Sequence, residues 1–262
     1  MSVIFPLSTS PPGRVVVADR IDACLAEGIP LRCEPQVVRM ASGAQAAYQS
    51  WFVSLSLFGE GEIYCRFVPD VERDAAMGIV DLGRRQAAFY RASQILGLGV
   101  AMPTVLRRVG ALGPGAISAL EDARTFLKAV SRDAVVPQRV PIRQSGSLGW
   151  AVLACYLLGS GQSVESGLVC DPRGRVWSRL NHQAFSYSAD RRLEEMFARD
   201  PRIPHQAWAD FERKANSPEA QRSLRAHVAE LLGENIAVHA TRRIRSVAAE
   251  RRVGGVRIEV GA

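Results

Sequence analysis

The sequence predicts an α+β protein, with strands concentrated in the first 120 residues and helices in the remainder. Three observations carry this expectation. Ser50 to Phe58 alternates so that Trp51, Val53, Leu55 and Leu57 form one apolar face, and a second strand-like run, Glu62 to Val68, follows after Gly59-Glu60-Gly61. Arg84 to Leu96 carries apolar residues at Ala87, Ala88, Tyr90, Ala92, Ile95 and Leu96, the spacing of a helix laid against a sheet. From Ser145 onward helical spacing dominates, interrupted by a short hairpin signal: Leu168-Val169-Cys170, the turn Asp171-Pro172-Arg173-Gly174, then Arg175-Val176-Trp177.

In chain order, residues 1–13 are rich in Pro and Ser and read as a loose arm. Asp19 to Glu27 is a helix stopped by Gly28-Ile29-Pro30, and Gln36 to Met40 a strand. After the central strands and helix, Gly97-Leu98-Gly99 ends the helix and Val100 to Arg107 returns as a strand. Ala116 to Leu120 is a further strand. Gly149 to Leu158 is apolar enough for a buried helix, with a small polar loop, Gly159 to Ser166, before the hairpin. Arg191–Arg199, Pro204–Ala215 and Pro218–Leu232 are amphipathic helices, the last with Ser217 as N-cap, Pro218 at its first position and Gly233 as its stop. Ile236 to Arg251 is a fourth helix and Val256 to Val260 a short strand.

The 262 residues, 47% hydrophobic and 23% charged, have ordinary globular composition, with no apolar run of the roughly 18 to 20 residues that span a bilayer. The N-terminus lacks the basic and apolar regions of a secretory signal, so a cytoplasmic protein is expected. The five cysteines, Cys24, Cys33, Cys65, Cys155 and Cys170, have neither disulfide-framework nor zinc spacing, and no cofactor is implied. A net charge of +7 is spread along the chain almost entirely as arginine, densest from Arg242 to Arg252. The expectation there is a solvated helix face, not a nucleic-acid surface.

One stretch is specific. Arg84 to Arg107, R-R-Q-A-A-F-Y-R-A-S-Q-I-L-G-L-G-V-A-M-P-T-V-L-R, resembles without a gap the R-E-x-A-A-Y…L-G-x-G-x-V-P-P-T-V segment of bacterial phosphatidylinositol 3-/4-kinase-like proteins. Val71-Glu72-Arg73, Gly113 to Ser118, Trp150 to Leu153, the hairpin and Ala184-Phe185 resemble the family's other markers in the same order, over roughly residues 50 to 190. The resemblance implies a two-lobed protein-kinase-like fold. Its N-lobe, residues 14–120, would hold an antiparallel sheet plus one helix, and its C-lobe, residues 121–262, would be mainly helical with a β-hairpin.

Phosphoryl transfer needs a Lys on the phosphates, a Glu that holds it, a catalytic-loop Asp, and an Asn and Asp that bind magnesium. No lysine precedes Lys128, and Arg66 is the nearest cation on the expected strand. A forked guanidinium does not simply replace a compact ammonium. By the resemblance the helix Glu becomes Gln86, the loop Asp becomes Gln162, the Asn becomes Gly167, and the metal Asp becomes Leu180. An amide forms no ion pair, and Leu offers no oxygen to a hard cation.

The expectation is therefore a pseudokinase that binds a protein partner or small molecule without magnesium–ATP phosphoryl transfer. The alternative is a repurposed enzyme acting on a small metabolite in the inter-lobe cleft. Its polar groups would be Arg66, Gln162, Glu165, Asn181 and His182, the last two at the cleft mouth. Glu121, Asp122, Glu165 and Asp171 are the acids from which a migrated metal site would have to be built. A third reading is an interaction module using the basic 242–252 region.

Overall fold

The structure, a computed structural model, describes residues 18–36, 50–56, 62–70, 80–120, 127–128, 147–160, 168–170, 176–178, 181–187 and 191–261. Helix α1 (Ala18–Glu27) precedes three strands, β1 (Ile29–Gln36), β2 (Ser50–Ser56) and β3 (Glu62–Pro69). Helix α2 (Leu82–Leu96) and strands β4 (Thr104–Arg108) and β5 (Pro114–Leu120) follow. The five strands form one antiparallel sheet in the order β1-β2-β3-β5-β4.

The alternation in β2 decides the two sides of this sheet. Val53 and Leu55 pack with Leu25 of α1, Cys65 and Phe67 of β3, and Ile117 and Ala119 of β5 into a small apolar core. On the opposite side the register sets Arg66 against Ser118 and Ser118 against Thr104, with Ser50 and Ser54 on β2. All five of these polar residues are buried. Helix α2 covers this polar side, touching β3, β4 and β5.

Both helix ends are satisfied from outside the helix. Arg107 Nη1 donates to the carbonyls of Leu25 and Gly28 at 2.9 Å each, closing the C-terminus of α1. Asp70 accepts from the Arg84 main-chain N–H at 3.1 Å and from Arg84 Nε at 2.7 Å, placing a carboxylate at the N-terminus of α2. Gly97, at φ 69°, ends α2 in the left-handed conformation expected of the Gly97-Leu98-Gly99 stop, with the Leu98 N–H donating to Ser93 O at 2.8 Å.

The helical part contains α3 (Ser147–Leu157) and a three-stranded sheet, β6 (Leu127–Lys128), β7 (Leu168–Cys170) and β8 (Val176–Ser178), in the order β6-β7-β8. Then come α4 (Arg191–Arg199), β9 (Arg202–Pro204), α5 (His205–Ala215), α6 (Pro218–Leu232) and α7 (Glu234–Glu250). A short hairpin, β10 (Arg252–Val253) and β11 (Val256–Arg257), leads to β12 (Glu259–Gly261), which pairs in parallel with β9. Seven α-helices lie among the described residues. A large apolar core joins α3 to α4, α5, α6 and α7, and it includes Ala88, Phe89, Ala92 and Leu96 from α2. The fold is α+β and two-lobed, with an antiparallel sheet first and helices with a hairpin after it.

Among the differences from the expected boundaries, two strand starts stand out. The first strand begins at Ile29, directly after α1, and carries Pro30 and Pro35; of the expected strand at 36–40, residues 37–40 lie outside the described residues. Prolines are tolerated there because β1 is an edge strand, and the register shifts between Pro30 and Arg32. The strand expected from Val100 starts instead at Thr104. Pro103 has no N–H for a ladder, and the segment before it pairs elsewhere, the Ser178 N–H donating to Val100 O at 2.7 Å. The arm over residues 1–13 lies outside the described residues.

Candidate functional site

Four of the candidate residues, Arg66, Gln86, Asn181 and His182, meet between the sheet and the helical part. They come from three separate elements. Arg66 is on the polar side of β3, Gln86 on the face of α2 that looks at it, and Asn181 and His182 on the turn after β8. Their relative exposures are 5%, 3%, 1% and 0%, so Asn181 and His182 stand inside the structure and not at the mouth of a cleft. Glu121, Gln162, Glu165 and Leu180 lie outside the described residues, as do Asp122, Gly167 and Asp171.

Gln86 is the hub. Its Oε1 accepts the Asn181 main-chain N–H at 2.7 Å, and its Nε2 donates to Ser118 Oγ at 3.4 Å. Ser118 Oγ lies 2.9 Å from Thr104 Oγ1, which donates in turn to Met102 O at 2.9 Å. On the other side, Asn181 Oδ1 accepts from Ser178 Oγ at 2.5 Å and from Ser160 Oγ at 3.4 Å, while its Nδ2 donates to Ser178 O at 3.1 Å. Buried amides and hydroxyls need such partners, because each one left unmade costs about 1–3 kcal/mol. Cys155 Sγ donates to Ser178 Oγ at 3.5 Å, and burial pushes its thiol up to about 12, which keeps it protonated and unreactive as a nucleophile.

Arg66 donates from Nη2 to Ser50 Oγ at 3.2 Å. Complete burial, and next the positive charge of Arg66, push His182 down to about 3, so the imidazole is neutral at physiological pH. A His in this state does not serve as a proton donor near neutrality.

Arg85, the residue before Gln86, was not singled out by the sequence. Its Nη1 donates to Ala184 O at 2.6 Å and its Nε to Val80 O at 2.9 Å, so a second α2 side chain grips the turn after β8. Burial lowers its pKa. The available signal was an arginine placed between Gly83 and the apolar Ala87-Ala88 on a helix expected to be covered. Ser118 and Ser178 were missed as well. Each is a hydroxyl at an inward position of an otherwise apolar strand, Ala116-Ile117-Ser118-Ala119 and Val176-Trp177-Ser178.

Among the described residues no group of His, Cys, Asp and Glu is arranged to hold a metal ion, and no helix is long and apolar enough to cross a membrane.

A sheet with one covering helix, joined to a helical lobe through a buried polar junction, defines a protein of kinase-like fold. Solved structures agree. The chain is similar to the crystal structure of the Golgi casein kinase at 11% sequence identity and a TM-score of 0.52, over 92% of this chain and 77% of that one. It is also similar to the Golgi casein kinase with Mn/ADP bound, at 11% identity and a TM-score of 0.54, over 92% of this chain and 78% of that one. At this identity the likeness shows the fold alone. No family model matches the sequence, and a search of curated proteins finds no relative.

Proposed function

We propose that the protein is a pseudokinase of the phosphatidylinositol-kinase-like kind, acting by binding a partner or small molecule and not by magnesium–ATP phosphoryl transfer. The observation that carries this reading is the state of Gln86. At the helix position where a working kinase presents a Glu to its phosphate-binding Lys, this chain has a neutral amide, and its oxygen accepts the Asn181 main-chain N–H at 2.7 Å. An uncharged side chain used in this way does not pin a cation on a triphosphate. The neutral, buried His182 supports the same reading, as do Gln162 and Leu180 at the expected loop and metal positions.

The test is thermal unfolding of the full chain with ATP in the presence and absence of magnesium. No magnesium-dependent rise in Tm is expected, since a ligand stabilises only in proportion to its binding of the folded state. A clear magnesium-dependent rise that disappears in Glu165→Ala or Asp171→Ala would overturn the proposal in favour of a relocated metal site.

A further inference from the structure

Helix α2 is attached on both sides, and the attachments differ in kind. Toward the sheet the contact is backbone on backbone. A Cβ built at Gly83 would lie 2.9 Å from Val68 O and from Ala116 N, so only glycine lets the first turn of α2 sit this close to β3 and β5. Asp70, at the end of β3, holds the same turn through the Arg84 N–H and Nε. Further along, Tyr90 Oη donates to Asp22 of α1 at 3.0 Å.

Toward the helical lobe the contact is apolar, with Ala88, Phe89, Ala92 and Leu96 inside the large core. It is reinforced by Arg85 on Ala184 O and by Trp150 Nε1 donating to Leu98 O at 2.8 Å. Gln86 reaches both ways, to Ser118 in the sheet and Asn181 in the turn.

We propose that α2 locks the sheet and the helical lobe into one body, so that the protein presents a preformed inter-lobe surface and does not open and close by helix displacement. Any swing of α2 away from either lobe breaks a buried polar pair or uncovers core, and both are costly. Gln86 is the positioning residue of this lock, whether or not nucleotide binds.

Native-state hydrogen exchange on the full chain tests it. The Asn181 amide, which donates to Gln86, is expected to exchange through the same opening as the core amides of Phe67 in the sheet and Leu153 in α3. Their protection should agree within about tenfold. Separate openings, with the sheet amides and Leu153 differing by about a hundredfold or more, would overturn the lock. As a second measurement, Gly83→Ala wedges the helix off the sheet while sparing the Asn181 pair. It is expected to speed Phe67 and Ile117 exchange by about tenfold relative to Leu153. No acceleration of Phe67 and Ile117 would show that α2 does not hold the sheet. Should that variant fail to fold, the wild-type measurement decides alone.

Discussion

On the α1 side of the five-stranded sheet, Leu25, Val53, Leu55, Phe67 and Ile117 meet as an apolar layer, while on the α2 side the same strands bury Ser50, Ser54, Arg66, Thr104 and Ser118. The two sides are equally removed from water and are held by different physics. The apolar side gains by excluding water from hydrocarbon, in proportion to area and shape. The polar side gains little net, because each hydrogen bond replaces one to water, and its groups are held in place mainly by the penalty for leaving any of them unpaired. Arg66, Gln86 and Asn181 sit on that second side, where a kinase fold would bring its lobes together. The contrast teaches that the apolar packing and the buried polar candidates are carried on opposite faces of one sheet.

Three measurements can break or sharpen this contrast. The largest effect is expected from Phe67→Ala, which empties a fully buried position on the apolar side. It should cost about 3–5 kcal/mol in chemical denaturation. An intermediate effect is expected from pH. His182 is held at about 3 when folded, below its ordinary 6.5, so the unfolded chain takes up a proton that the folded chain refuses. The contribution of His182 is complete above about pH 6.5 and is lost as pH falls from there toward about 3, with a limiting slope of about 1.4 kcal/mol per pH unit. Stability should thus drop by roughly 2 kcal/mol by about pH 5, and His182→Gln should flatten that part of the profile. An unchanged profile would mean that His182 is solvated. The smallest effect is expected from Ser118→Ala, at about 1 kcal/mol, since Thr104 keeps its bond to Met102 O and Gln86 keeps Asn181. A cost matching that of Phe67→Ala would erase the distinction between the two faces.

Much of the fold was legible in the sequence. Helices α4 and α6 begin and end where their spacing and caps place them, and Ser217 Oγ accepts the Ala220 N–H at 3.3 Å as an N-cap should. The apolar alternation in β2 and the hairpin of β7 and β8 were readable for the same reason: a period of two with turn residues at its end. The strand over Ile29–Gln36 was missed because Pro30 and Pro35 argue against a strand, and only its position at the edge of the sheet removes the objection.

The candidate residues could be named from the sequence, but their environments could not. The resemblance pointed to Gln86, and their polarity to Asn181 and His182, but the lowered pKa of His182 depends on its complete burial and on the charge of Arg66, 116 positions earlier. Arg85 escaped notice because an arginine on a helix is most often solvated, and nothing local signals that its guanidinium ends on the carbonyl of Ala184.

The same Pro30 and Pro35 that hid β1 also govern how the molecule meets its own kind. An open sheet edge is a template on which another chain can add a strand, and such growth needs a regular row of donors and acceptors. Two prolines bring no N–H to that row, and the register break between Pro30 and Arg32 bends it. Although Ile29 and Leu31 expose apolar surface along it, this edge is poorly shaped to recruit a neighbour, a safeguard against aggregation written into the residues least suited to a strand.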